Sequence, residues 1–236
     1  MGQSNMAAGA TVGSNHNSRA ADGEIIAGRG FWPGLCVSLK HNSRFASYCL
    51  IVKGDFLHEL DIKLPFTLVS NDIQNDQLVL IPGYWFMYNM YALVRNSNKY
   101  AARDNRHFKN QYFEYDMLAP DTVNEMFAGM ELLALSVADS LNPVGDKDQV
   151  ERIIAGRSLL ANNGNLKDKT IFLQGAENAR RPTVIQKVGE AYHLYRSFIN
   201  YYSVLHLMDA LAEGLVLADI LINLMGCQRT NWENYG

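Results

Sequence analysis

The chain has 236 residues, 48% of them apolar and 19% charged, with a formal net charge of -3. That is enough apolar material for one large or two modest folded domains, and it excludes an intrinsically disordered chain. The charge balance lacks the basic excess that a general nucleic-acid binder shows, so no nucleic-acid partner is expected.

Three cysteines, Cys36, Cys49 and Cys227, are an odd number with no Cys-x-x-Cys pair. They read as reduced, buried thiols in a reducing, cytoplasmic compartment. No basic segment followed by an apolar one opens the chain, so no secretory signal is expected. The most apolar stretch, residues 205–225, contains Asp209, Glu213 and Asp219, too many acids for a membrane helix, so no membrane association is expected. His58, His193 and His206 have no paired spacing, so no metal is expected.

Residues 1–82 and 83–236 differ in pattern. In the first part, apolar residues recur every six positions at Leu39, Phe45, Ile51 and Leu57, with Met6 and Val12 as an earlier fragment. Six is the hexapeptide period of a parallel β-helix, in which three units close a coil of about 18 residues. The tetrapeptide His-Asn-Ser-Arg occurs at 16–19 and again at 41–44. A spacing of 25 is one coil plus about seven residues, which predicts a loop protruding around Ala20–Pro33, where Gly28, Gly30, Pro33 and Gly34 favour turns. Asn15, Asn17 and Asn42 suit left-handed corner positions. Beyond Leu57 the period fades, and residues 61–72 and 77–82 read as closing strands.

The second part reads as helical. "GYWFMYNMYALVRNSNKYAARDN" places Tyr84, Tyr88, Tyr91 and Val94 at helical spacing, and its aromatics are expected to pack the helical region against the β part. "APDTVNEMFAGMELLALSVADSL" offers a Thr122-x-x-Glu125 capping box and an apolar face of Val123, Met126, Phe127, Met130, Leu133, Ala134 and Val137. "KDQVERIIAGRSLLANNG" is a helix stopped by Asn-Gly. Residues 165–182 are a connector, after which Pro182 opens a helical run to about Met225, broken near Gly189 or Gly214.

The stretches "MGQSNMAAGATVGSNHNSRAADGEIIAGRGFWPGLCVSLKHNSRFASY" and "PGYWFMYNMYALVRNSNKYAARDNR" resemble an uncharacterised bacterial family. Its members are large left-handed β-helix proteins labelled UDP-N-acetylglucosamine pyrophosphorylase-like. Most of the chain takes part, and the "GYWFMYNMYAL" block is the most specific piece. The resemblance implies a mixed β + α chain: a short left-handed parallel β-helix over 1–82 followed by an α-helical region over 83–236. It also implies an internal fragment of a longer protein, and a homo-oligomer, with a trimer favoured.

A pyrophosphorylase needs a Gly-rich loop with Arg and Lys for nucleotide phosphates and acids for Mg²⁺. "AGRGFWPG" lacks the Lys, so the nucleotidyltransferase signature is absent. What the resemblance leaves is an acyltransferase-like module acting on a sugar or sugar nucleotide, with no cofactor evident beyond a coenzyme A thioester as acyl donor. The chemistry needs a general base and oxyanion donors. His16 and His41 are the candidate bases, Asn17 and Asn42 their orienting neighbours, and Arg19, Arg29, Arg44 and Trp32 the candidate substrate-binding residues. The alternative is a non-catalytic scaffold, oligomerisation or binding module, in which each HNSR is a structural corner. The two differ in where the histidines point. A further basic run, Arg95, Lys99, Arg103, Arg106, His107 and Lys109, relieved only by Asp104, reads as a solvated helix face, with phosphate or nucleotide binding as its functional alternative.

Overall fold

The computed structural model describes residues 2–12, 23–141, 148–161, 166 and 168–212. By internal contacts the chain divides into two units, Met1–Ser197 and Phe198–Gly236.

In the first unit, seven short strands run from Ile26 to Ile62: β1 (Ile26–Ala27), β2 (Trp32–Pro33), β3 (Val37–Leu39), β4 (Arg44–Phe45), β5 (Leu50–Ile51), β6 (Gly54–Phe56) and β7 (Asp61–Ile62). Two longer strands follow, β8 (Leu68–Asp72) and β9 (Gln77–Ile81). They form three separate sheets, completed by β10 (Ile171–Phe172) and β11 (Thr183–Ile185). One sheet has the order β1-β4-β7, a second is β3-β6, and the largest is β10-β11-β9-β8-β5-β2.

This corrects the expected left-handed parallel β-helix. The chain is a mixed α/β protein with short, separate sheets, and its largest sheet is itself mixed, since β8 pairs antiparallel with β9 and β10 antiparallel with β11. The six-residue period ends before Leu57. Leu39, Phe45 and Ile51 are buried, but Leu57 is 75% exposed and Met6 is 48% exposed. Parallel partners are offset by 18 residues at Trp32↔Leu50 and Leu50↔Leu68, but by 17 at Leu39↔Phe56 and Phe45↔Ile62. One missing residue passes the inward position to Phe56 and turns Leu57 to solvent.

The loop expected around Ala20–Pro33 is also corrected over its described residues. Ile26–Ala27 pairs with Arg44–Phe45, and Trp32–Pro33 pairs with Leu50–Ile51. The glycines read as loop markers instead allow close approach. A Cβ at Gly28 would lie 2.4 Å from the Ser47 hydroxyl.

Among the described residues five helices accompany the sheets: α1 (Tyr84–Tyr88), α2 (Met90–Ala102), α3 (Pro120–Leu141), α4 (Gln149–Ala161) and α5 (Val188–Ala212), the last belonging to the first unit as far as Ser197. The aromatic block is two helices, broken at Asn89, whose N–H returns to the Trp85 carbonyl. Of its aromatics Trp85 is fully buried, whereas Tyr88 and Tyr91 are exposed. The capping box does not form. Thr122 lies inside α3 and its hydroxyl donates to the Met117 carbonyl. Glu125 is taken by the corner at Ser47, accepting from its N–H at 2.9 Å and its hydroxyl at 3.2 Å. Burial pushes the Glu125 carboxyl upward, against the lowering by those bonds. The stripe on α3 holds at Val123, Met126, Leu133, Ala134 and Val137, and fails at Phe127, which is exposed. The connector supplies β10, and β11, whose residues are expected to be helical after Pro182, extends the sheet at β9 instead. Cys49 is a buried free thiol that burial pushes up in pKa, and Cys36 is free but exposed. Among the described residues no helix is long and apolar enough to cross a membrane.

Candidate anion-binding cavity

The last two turns of α2 carry Lys99 on the helix and Arg103 at its C-cap. Cations there complement the partial negative charge of the helix end. The chain then makes a clasp. Asp104 accepts from Arg106 Nε at 2.7 Å, from Arg106 Nη2 at 2.8 Å and from the Tyr115 hydroxyl at 2.6 Å. The third arm of the guanidinium donates to the Gln111 carbonyl at 3.1 Å, and its plane lies 3.8 Å from the Phe113 ring centroid. Arg106 is therefore fully used in shaping segment 103–116. The bonds from Arg106, then from Tyr115, hold the Asp104 carboxyl far below the usual carboxylate range, so it is a fixed negative charge.

Between this clasp and the N-terminal segment lies a cavity of about 610 Å³. Ser4 and Asn5 line it from the N-terminal side, and Asn96, Lys99, Tyr100 and Arg103 from α2. Asn96 is anchored by its donated bond to the Gln3 carbonyl. Three cations, Lys99, Arg103 and Arg106, face one carboxylate, Asp104, which leaves two positive charges. Lys99 and Arg103 are exposed and form no ion pair among the described residues. The wall is therefore net positive, and a net-positive cleft raises the local concentration of anions.

The residues singled out as an acyltransferase site are not brought together in this way. His41 is 9% exposed. Asn42 adopts the left-handed backbone at φ 67°, as a corner requires. The Ser43 hydroxyl donates to the Lys40 carbonyl at 2.7 Å and accepts from the buried Leu60 N–H at 3.0 Å. Arg29 makes a two-pronged ion pair with Asp121, at 2.7 and 2.8 Å, and donates to the Asp116 carbonyl. Trp32 packs on Trp85 with ring centroids 5.2 Å apart. Arg44 is exposed and lines a small cavity of about 300 Å³ with Asn42, Glu59, Asp61 and Glu177, a wall that is net negative and does not include His41. His16, Asn17 and Arg19 lie outside the described residues. Ser43→Ala is expected to cost about 1–3 kcal/mol by leaving the Leu60 N–H buried and unbonded. Urea unfolding measures it, and an unchanged midpoint would deny the hydroxyl its structural role.

Sequence reasoning missed Phe113 and Tyr115 as parts of the clasp. The basic run was the signal that pointed to this region, but its spacing did not separate Arg106, which is consumed internally, from Lys99 and Arg103, which are not.

Comparison with known proteins finds a relative 43% identical over 201 residues, an uncharacterised protein of Treponema pallidum (strain Nichols). The match takes in 85% of this chain and 27% of that protein, so the chain spans about a quarter of the length of the relative. No family model matches the chain, and no solved structure matches it.

Proposed function

We propose that this chain is a non-catalytic binding module of a larger protein and that it takes up a small anion. The observation that carries the reading is the cavity beside the end of α2, where Lys99 and Arg103 have no ion-pair partner among the described residues, in a wall with a net charge of two. Two unpaired cations brought close by a fold repel each other, and an anion between them relieves that repulsion. The second HNSR corner supports the non-catalytic half of the reading. Its Ser is bonded internally and its Asn sets the turn, while His41 stays out of the adjoining cavity. The acyltransferase alternative draws on the family resemblance, and its own catalytic test is His41.

A ligand that binds the native state alone raises the melting temperature. Inorganic phosphate is expected to raise that of the wild type above its value in chloride of equal ionic strength, and to leave the double variant Lys99→Gln/Arg103→Gln unmoved. An equal rise in both would remove the cavity from the reading. An acyl-transfer activity of the full-length protein that His41→Ala abolishes would replace it with the transferase.

A further inference from the structure

The reading above gives the cavity an anion, and its walls narrow the class. It has far more room than one oxyanion fills, and it is within the size range of small-molecule sites. With Arg106 set against Asp104, its remaining charges are Lys99 and Arg103, one helical turn apart at the end of α2. The remainder is of two other kinds. Asn5 lines the space from the N-terminal segment, Asn96 from α2 and Asn105 from the segment after it. The Ser4 hydroxyl is enclosed and has no hydrogen-bond partner among the described residues. Aromatic rings line the same space, with Tyr100 and Tyr115 at 6.1 Å between centroids and Phe113 fixed under Arg106.

Amide groups donate and accept at once, as a ligand bearing several hydroxyls requires. Aromatic faces take up the flat or weakly apolar face of a ring. A guanidinium free of other partners makes paired bonds to phosphate oxygens, with a lysine as a point charge beside it. We infer that the ligand is a phosphate monoester of a hydroxylated ring compound, a sugar phosphate or a nucleoside monophosphate, with its phosphate between Lys99 and Arg103 and its ring against Tyr100. The inference rests on the proposal of an anion-binding module and adds the ring to it. Asp104 is offset by Arg106, so the wall presents two positive charges, which match the charge of one phosphate dianion. A monoester therefore fits better than a diphosphate.

Calorimetric titration of the 236-residue chain with inorganic phosphate, glucose 6-phosphate, adenosine 5′-monophosphate, glucose and adenosine tests this. One or both monoesters are expected to bind at least about tenfold more tightly than inorganic phosphate, and glucose and adenosine not to bind. Whichever monoester is preferred assigns the sugar or the nucleoside. Arg103→Gln is expected to weaken the monoester by about tenfold or more, as the loss of charged hydrogen bonds does, with Arg103→Lys restoring part of it. Tyr100→Ala is expected to weaken the monoester more than inorganic phosphate. Amide chemical shifts of the wild type locate the site independently of any variant, and the expected changes fall at Asn96, Tyr100 and Asn105. If inorganic phosphate binds and neither monoester gains on it, the ring inference fails while the anion module stands. If no phosphate compound binds at millimolar concentration, or the shifts fall elsewhere, both fail.

Discussion

Trp85→Ala is expected to destabilise the protein by about 3–5 kcal/mol, the range for truncating a large aromatic side chain in a core. For a chain of this size that is a fall in Tm of roughly 10 °C. Trp85 is 1% exposed and is the point at which α1 meets the strand-rich part. Its ring packs on Trp32 at 5.2 Å, and its indole N–H donates to the Tyr48 carbonyl at 2.7 Å. Tyr48 is itself a corner residue with left-handed backbone, φ 57°, stacked on Phe66 at 4.7 Å with the rings nearly parallel. Truncation thus empties a cavity and leaves a corner carbonyl without its donor. Trp85→Phe separates the two effects, because it retains most of the packing and removes the bond. It is expected to lose about 1–2 kcal/mol. Urea unfolding followed by far-UV circular dichroism checks both variants. A Trp85→Ala protein within 1 kcal/mol of wild type would mean that the aromatic block does not anchor α1.

That anchor was legible in the sequence as a block but not as a residue. Five aromatics in eight positions promised packing against the strands, and one of them, Trp85, is fully buried while Tyr88 and Tyr91 face outward. Helical periodicity selects a face. It does not show that Asn89 ends one short helix and starts another on a different heading. The strand-rich part was legible in its short pieces and its inward Leu39, Phe45 and Ile51. Its architecture was not. A period read from four residues cannot register a one-residue deletion between Ile51 and Gly54. Nor can it see β10 and β11, which are two and three residues long and lie about a hundred residues further on, yet complete the largest sheet. Pairings that distant are decided by tertiary contact, which overrides any local pattern.

The candidate site shows the same division. Charge alone marked the basic run, and the fold decided which charges are spent. Arg29 looked like a phosphate ligand in a glycine-rich loop, and Asp121 at the start of α3 takes it up from 92 positions away. Arg106 looked like its neighbours in the run, and Asp104, two residues earlier, takes it up instead. Among the described residues, the cavity's cations Lys99 and Arg103 remain without an ion pair. The repeated His-Asn-Ser-Arg drew attention as a duplicated active site, but in its described copy the Asn and Ser do backbone work. The property that made the motif conspicuous, small polar residues that bond their own main chain, is the property that makes corners.

Gly156→Ala is expected to destabilise by about 1–3 kcal/mol although alanine is the better helix former. In an exposed helix the exchange gains about 1 kcal/mol. In α4 the added Cβ would lie 1.9 Å from the Ala134 carbonyl oxygen and 2.5 Å from its carbon, inside α3. Those atoms are backbone, so relief requires the two helices to move apart. Ala134 is fully buried and the pairs Arg152–Asp139 and Arg157–Glu131 hold the same helices together. Overpacking of this kind costs 1–3 kcal/mol and sometimes more, and Gly156→Leu is expected to cost more than Gly156→Ala. Gly129→Ala is the control. Its Cβ would meet a Tyr195 ring carbon at 3.1 Å and side-chain atoms of Leu64 and Pro65 at 3.5 and 3.6 Å. Side chains yield by a few tenths of an ångström where a carbonyl in a helix does not, so this variant is expected to stay within about 1 kcal/mol of wild type. Chemical denaturation of the three variants ranks them. A Gly156→Ala protein as stable as wild type would mean that α3 and α4 do not approach backbone to backbone at Ala134.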